Sequence, residues 1–223
     1  MERHFQKELE SLKTSLIKMG SVVEENIAFA IRAVLEKSSD LARKVIETDK
    51  RVDSLEIEID NTVIDLLALQ QPVASDLRFI IAAQKINNDL ERIGDHAVNI
   101  AYRGISLNKE PQLKPYMDLP RMGEIVQAMT RDIIKAFLSR DPHLARSVYE
   151  RDDTVDALDD QIFRELITYT VNDPTAIPRA MHLVIVSRCM ERIADHATNI
   201  AENIIFIETG EMMRHQAKGK EKK

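Results

Sequence analysis

The chain has no tryptophan, one cysteine, six glycines and seven prolines in 223 residues, and each shortage removes a class of structure. With Cys189 alone, neither an internal disulfide nor a paired-cysteine zinc site can form, and a reducing compartment fits. The few glycines form no loop of the kind that cradles phosphates, and no nucleophile stands in a pattern with a base, so no enzyme is evident. No stretch approaches the roughly 18 uninterrupted apolar residues that span a bilayer. The charged opening Met1 to Glu8 lacks the apolar run of a signal peptide, so a soluble, cytoplasmic protein is expected. A net charge of −6 argues against nucleic acid, whose phosphates require a positive face; only the tail from His215 to Lys223 is basic, and it reads as a disordered end.

What is present is 44% hydrophobic and 30% charged residues with few aromatics, the profile of an all-α protein made of long helices. Phe5, Leu9, Leu12, Leu16, Met19, Val23, Asn26 and Ala30 alternate at spacings of four and three, a heptad seam in which Asn26 is placed to fix register. Ser38 to Asp40 then supply a turn and a cap, and Leu41 to Leu69 repeat the alternation up to Pro72. A third helix runs from near Val73 to Leu107. After the proline-bearing stretch Asn108 to Pro120 the pattern restarts, with helices expected over 121–139, 143–171 and 177–209. This predicts two tandem three-helix bundles of antiparallel helices: residues 1–109, a linker at 110–120, a second bundle at 121–210, and a basic tail at 211–223.

One phrase occurs twice. Asp89-Leu90-Glu91-Arg92-Ile93-Gly94-Asp95-His96-Ala97-Val98-Asn99-Ile100-Ala101 returns as Cys189-Met190-Glu191-Arg192-Ile193-Ala194-Asp195-His196-Ala197-Thr198-Asn199-Ile200-Ala201. Internal duplication explains the length of the match, and the repeated polar residues point to a site in each copy. Glu91 and Asp95, like Glu191 and Asp195, lie four apart and share a helix face. The preceding helices carry Asp49 with Asp53 and Asp152 with Asp156. Folding the hairpins about residues near 73 and 174 brings these acids level with the phrase. Eight carboxylates in two groups of four raise one another's pKa unless a cation, an arginine or water neutralises them. All-oxygen donors favour hard ions such as Mg2+, Mn2+ or iron, with His96 and His196 as candidate additions. The Glu-x-x-His spacing of di-iron bundles is absent, because Glu and His here stand five apart. Solvated acidic stripes with ordinary ion pairs to Lys50, Arg51, Arg92 and Arg192 are the alternative reading. Arg188 replaces Asn88 in the second copy and is expected to supply charge balance there if it turns inward.

The doubled Glu-Arg-Ile-Gly-Asp-His-Ala phrase, together with Gln71-Pro72-Val73-Ala74-Ser75-Asp76-Leu77-Arg78, closely resembles the PhoU family of phosphate-transport regulators. The departures are Ala194 for the more usual glycine and a second hairpin, Asp173 to Arg179, without the first one's form. The resemblance implies two three-helix bundles, a cytoplasmic location, frequent homodimerisation, and restraint of phosphate uptake together with the phosphate ABC transporter ATPase and a sensor histidine kinase. Contact with the membrane is then indirect, through these partners. It also implies metal, iron included, at Asp49, Asp53, Glu91, Asp95, Asp152, Asp156, Glu191 and Asp195. A non-enzymatic adaptor is the leading expectation. The rival is a carboxylate-bridged metal enzyme on a helix bundle.

Overall fold

The computed structural model describes residues 2–70, 72 and 74–210 and is all-helical over that span. The basic tail at 211–223, and Gln71 and Val73 of the first hairpin turn, lie outside the described residues. The first bundle consists of α1 (Glu2–Leu35), α2 (Ser39–Gln70) and α3 (Ala74–Leu107), each packed against the other two. The second consists of α4 (Asp118–Ser139), α5 (Pro142–Tyr149), α6 (Asp152–Asn172) and α7 (Ile177–Thr209), with a short 3-10 turn at Pro174–Ala176 before α7.

The ends of these helices have local causes. After α1, Lys37 adopts a left-handed conformation (φ 54°), and the Ser38 amide reaches back to the Ala33 carbonyl at 3.0 Å. Ser38 Oγ then accepts from the Leu41 amide. Asp141 caps α5 by accepting from the amides of His143 and Leu144, with Pro142 in the first turn where its missing N–H costs nothing. Pro120 likewise sits in the first turn of α4, so that helix begins before it, at Asp118.

The second bundle departs from the expected single helix over 143–171. At Glu150 and Arg151 the ladder tightens, and the Arg151 amide bonds to the Val148 carbonyl, three residues back. Arg151 Nε instead takes the Ser147 carbonyl at 3.1 Å, while its Nη2 holds Asp132 of α4 at 2.7 Å. The arginine thus occupies the carbonyl its own amide would have used, and the chain is divided into α5 and α6.

A single cluster of buried apolar side chains runs through both bundles. The broadest helix contact is between α3 and α7, which carry the two copies of the repeated phrase. α1 and α4 approach through reciprocal glycines: a Cβ on Gly20 would come within 2.9 Å of Ile134, and one on Gly123 within 2.9 Å of Ile31. Phe79 of α3 stacks on Phe137 of α4, with ring centroids 6.0 Å apart. The linker is tied down at both ends. Lys37 Nζ donates to the Glu110 carbonyl, and the buried Lys114 pairs with Glu165 of α6. Asn26 is fully buried at its seam position, yet neither atom of its amide has a protein partner. Among the described residues no helix is long and apolar enough to cross a membrane.

Candidate functional site

Antiparallel pairing of α2 with α3 sets the height of the first group of acids. Asn87 of α3 donates to Asp60 at 2.7 Å and to the Glu56 carbonyl at 3.1 Å, and a Cβ on Gly94 would lie 3.0 Å from Asp49 Oδ1. These cross-links fix a hairpin register centred near residue 72. In the second bundle, Ser187 donates to Asp159 at 2.7 Å, centring the α6–α7 hairpin near 173. Asp49 therefore interacts electrostatically with Asp53 on its own helix and with Asp95 across the hairpin, and Asp152 with Asp156, Asp195 and Glu191. The eight acids form two groups of four, as the folded hairpins require. Glu56 joins the first group.

In each copy the arginine between the two acids bridges them. Arg92 Nε stands 3.3 Å from Glu91 and its Nη1 3.0 Å from Asp95, while Arg192 makes the same pair of contacts at 3.5 and 2.9 Å. One arginine does not neutralise four carboxylates. Burial, followed by repulsion from Asp53 and Asp95, pushes Asp49 up to about 6. Burial and Asp95 push Glu91 up to about 7, against the opposing pull of Arg92. Asp152 rises to about 6 for the reasons that apply to Asp49, and Asp156 and Glu191 are raised as well, burial leading in each.

The donor chemistry fits a hard cation. Asp49 Oδ1 and its repeat counterpart Asp152 Oδ1 are both buried and accept no hydrogen bond, so the same oxygen is unsatisfied in each bundle. A di- or trivalent ion coordinated by these oxygens would satisfy them and invert the local repulsion. Among the described residues no three of the His, Cys, Asp and Glu side chains converge as a set that could hold an ion, so coordination would need side chains of the seam to rotate.

The two flanks differ. Beyond the first group, Asp60 is satisfied by two neutral amides, from Gln84 and Asn87. Beyond the second, the half-exposed Arg188 pairs with Asp159 rather than with one of the four acids: its Nη1 lies 2.9 Å from Asp159, whose side chain is only 3% exposed and also accepts from Ser187. Arg188 also lowers the proton affinity of Glu191.

The imidazoles of the phrase do not extend the acidic groups. His96 and His196 face each other where α3 packs on α7, with ring centroids 5.7 Å apart. His196 Nδ1 lies 2.9 Å from Asp89 Oδ1, which also accepts from Asn199, so the first residue of one copy holds the His and Asn of the other. The symmetric partner is missing because position 189 is cysteine, and His96 Nδ1 is buried without a hydrogen bond. Burial and the facing His196 push His96 below the usual imidazole range, and burial raises the Cys189 thiol to about 11. Sequence reading missed this inter-bundle junction. Its signal was the Asp89-to-Cys189 mismatch between the copies.

The PhoU domain family model matches this chain twice, over residues 16–104 and 119–204. The chain is similar to the phosphate-specific transport system accessory protein PhoU homolog of Aquifex aeolicus (strain VF5), at 49% identity over 94% of this chain and 95% of that protein. It is 39% identical to the homolog from Zymomonas mobilis, over 97% and 92% of the respective lengths. The crystal structure of PhoU from Pseudomonas aeruginosa superposes with a TM-score of 0.91 at 40% identity, covering 93% of this chain and all of that one. The phosphate transport system regulatory protein PhoU from Streptococcus pneumoniae superposes at 0.85 and 30% identity, over 93% and 98%.

Proposed function

Because the chain belongs to the PhoU family, we propose that it is a non-enzymatic cytoplasmic regulator that restrains phosphate uptake by docking on the phosphate ABC transporter ATPase and on a sensor histidine kinase. The observation that carries this reading is a face duplicated between the bundles. On a wheel of 100° per residue, Ile57 and Ile64 of α2 and Ile81 of α3 fall on the side of Asp53, Glu91 and Asp95, and all three are exposed. Phe163 and Ile167 of α6, with Ile177 and Met181 of α7, repeat the arrangement beside Asp156, Glu191 and Asp195. Each bundle thus leaves open a strip that is acidic along the hairpin and apolar toward its turn. Exposed apolar side chains gathered on one side of a helix pair suit a protein partner, and carboxylates alongside them select a partner with basic residues.

Metal is the second component of the proposal. Asp49, Asp53, Glu91 and Asp95 would hold an ion in one bundle and Asp152, Asp156, Glu191 and Asp195 in the other; a bound ion supplies positive charge that draws the carboxylates together and stiffens the docking strip. The unsatisfied Oδ1 atoms of Asp49 and Asp152 support this. Elemental analysis of protein purified without chelators, and melting with added Mn2+ or Fe, test it. Bound metal and a melting rise that disappears in Asp53→Asn or Asp95→Asn are expected. Protein that holds no metal and melts indifferently to the ions removes this component.

A further inference from the structure

A cleft of about 270 Å³ opens where the first turns of α1 and α3 meet the last turns of α4 and α7, away from the acidic strips. Three cationic side chains line it: Lys13, Arg78 and Arg140. Among the described residues, Lys13 and Arg78 make no ion pair or side-chain hydrogen bond, and Arg78 Nε is buried with no acceptor. Arg140 reaches only Glu208, at 3.9 Å. The wall also includes Leu9, Phe79 and Ile207, and a buried Nε without an acceptor is costly. Glu10 and Asp76 also border the cleft but pair with none of the three cations. Asp76 lies in the first turn of α3, where the helix's own positive end favours it.

Arg78 closes the Pro-x-Ala-x-Asp-Leu-Arg motif of the first hairpin; in the 100-residue register of the repeated phrase its place in α7 is taken by Pro178, and the neighbouring Arg179 donates to the Pro111 carbonyl at 3.3 Å. The second arginine anchors the linker, while the first has no such duty. Arg140 ends α4 in a left-handed conformation (φ 53°), as Lys37 does after α1, and its side chain lines the opening.

We propose that this cleft binds a phosphoryl group, with the two Nη groups of Arg78 as the fork that grips two of its oxygens and Lys13 and Arg140 closing round the rest. A planar guanidinium matches a tetrahedral oxyanion in bidentate fashion, and Arg78 and Lys13 are the cations of the lining that none of its carboxylates, Glu10, Asp76 and Glu208, engages. The volume lies below the roughly 300 Å³ at which pockets for drug-sized ligands begin, so the ligand is inorganic phosphate or a small phosphate ester. This stands independently of the docking proposal, because no residue of the acidic strips takes part.

The test is calorimetric titration of the chelator-treated full chain with inorganic phosphate and, separately, with AMP. Chelation removes phosphate binding through adventitious metal at the acidic strips. Saturable binding of either ligand is expected, weakened about tenfold or more in Arg78→Gln, the scale for losing a charge-assisted hydrogen bond, and unchanged in Arg179→Gln. Binding of phosphate alone, or of AMP as well, supports the proposal and identifies the source of the phosphoryl group. If Arg78→Gln loses its helical signal, Lys13→Gln at a half-buried position serves instead. No saturable binding of either ligand, or binding indifferent to both substitutions, overturns the proposal.

Discussion

Replacing Asp49 by asparagine in metal-free protein should stabilise the fold at pH 8 and leave it nearly unchanged at pH 4. Asp49 rises from 3.8 to about 6 in the folded chain, through burial first and then the charges of Asp53 and Asp95. A shift of about two units corresponds to roughly 3 kcal/mol at about 1.4 kcal/mol per unit. Solvent reaches this half-buried carboxylate, and screening reduces the figure to about 1–2 kcal/mol. A raised folded pKa means that the folded chain takes up a proton before the unfolded chain does. The associated stability is therefore complete below about pH 4 and lost as pH rises through about 6. Asparagine removes the charge at every pH, so the gain over wild type is full at pH 8 and closes between about 6 and 4. His96, held below the usual range, loses stability on acidification in both proteins and cancels in the difference. Urea denaturation in chelator at pH 8 and pH 4 measures the gap, equivalent to roughly 2–8 °C in melting temperature for a chain of this size. A variant no more stable than wild type at pH 8, or a gap independent of pH, refutes the account of an uncompensated acidic seam.

The remaining predictions concern packing and pairing. Asn26→Leu removes a fully buried amide that makes no hydrogen bond and should raise stability by about 1–2 kcal/mol in urea denaturation. Arg188→Met leaves the buried Asp159 with Ser187 alone and should cost about 2 kcal/mol, most of it recovered when Asp159→Asn is added. Gly123→Ala forces a methyl to 2.9 Å from the buried Ile31 and should cost about 1–3 kcal/mol, despite alanine's better helix propensity. Thermal melting separates this from the small gain that an unhindered glycine-to-alanine change would give.

The helices and their pairing were legible because a heptad seam and a turn signal are local properties of the chain. Leu12, Leu16, Met19 and Val23 announced α1, and Asp141 with Pro142 announced the start of α5. The groups of acids were legible for a different reason: hairpin length alone sets which residues come level, and this brought Asp49 to Asp95. What the sequence concealed depends on single side chains choosing between partners. Arg151 could have paired at the surface, but it takes the Ser147 carbonyl and Asp132, and the expected helix over 143–171 becomes two. In the sequence, His96 and His196 are candidate additions to the acids but read more readily as packing or helix-surface residues. The meeting of α3 with α7 turns them toward each other, and that contact lies between bundles, where periodicity within a helix is silent. Arg78 and Arg179 both stand near the start of a helix after a hairpin proline, yet Arg179 bonds a linker carbonyl and Arg78 faces a cleft.

The central claim is that the open acidic and apolar strips dock this protein on the phosphate transport machinery. Co-purification from phosphate-rich cells measures it directly, comparing the wild-type chain with a variant carrying Ile64→Asp and Ile167→Asp, both at exposed positions that leave the core intact. The transporter ATPase or the sensor kinase should accompany the wild type and be lost from the variant while its helical signal is retained. Failure to recover either partner, or equal recovery with the variant, would contradict the account.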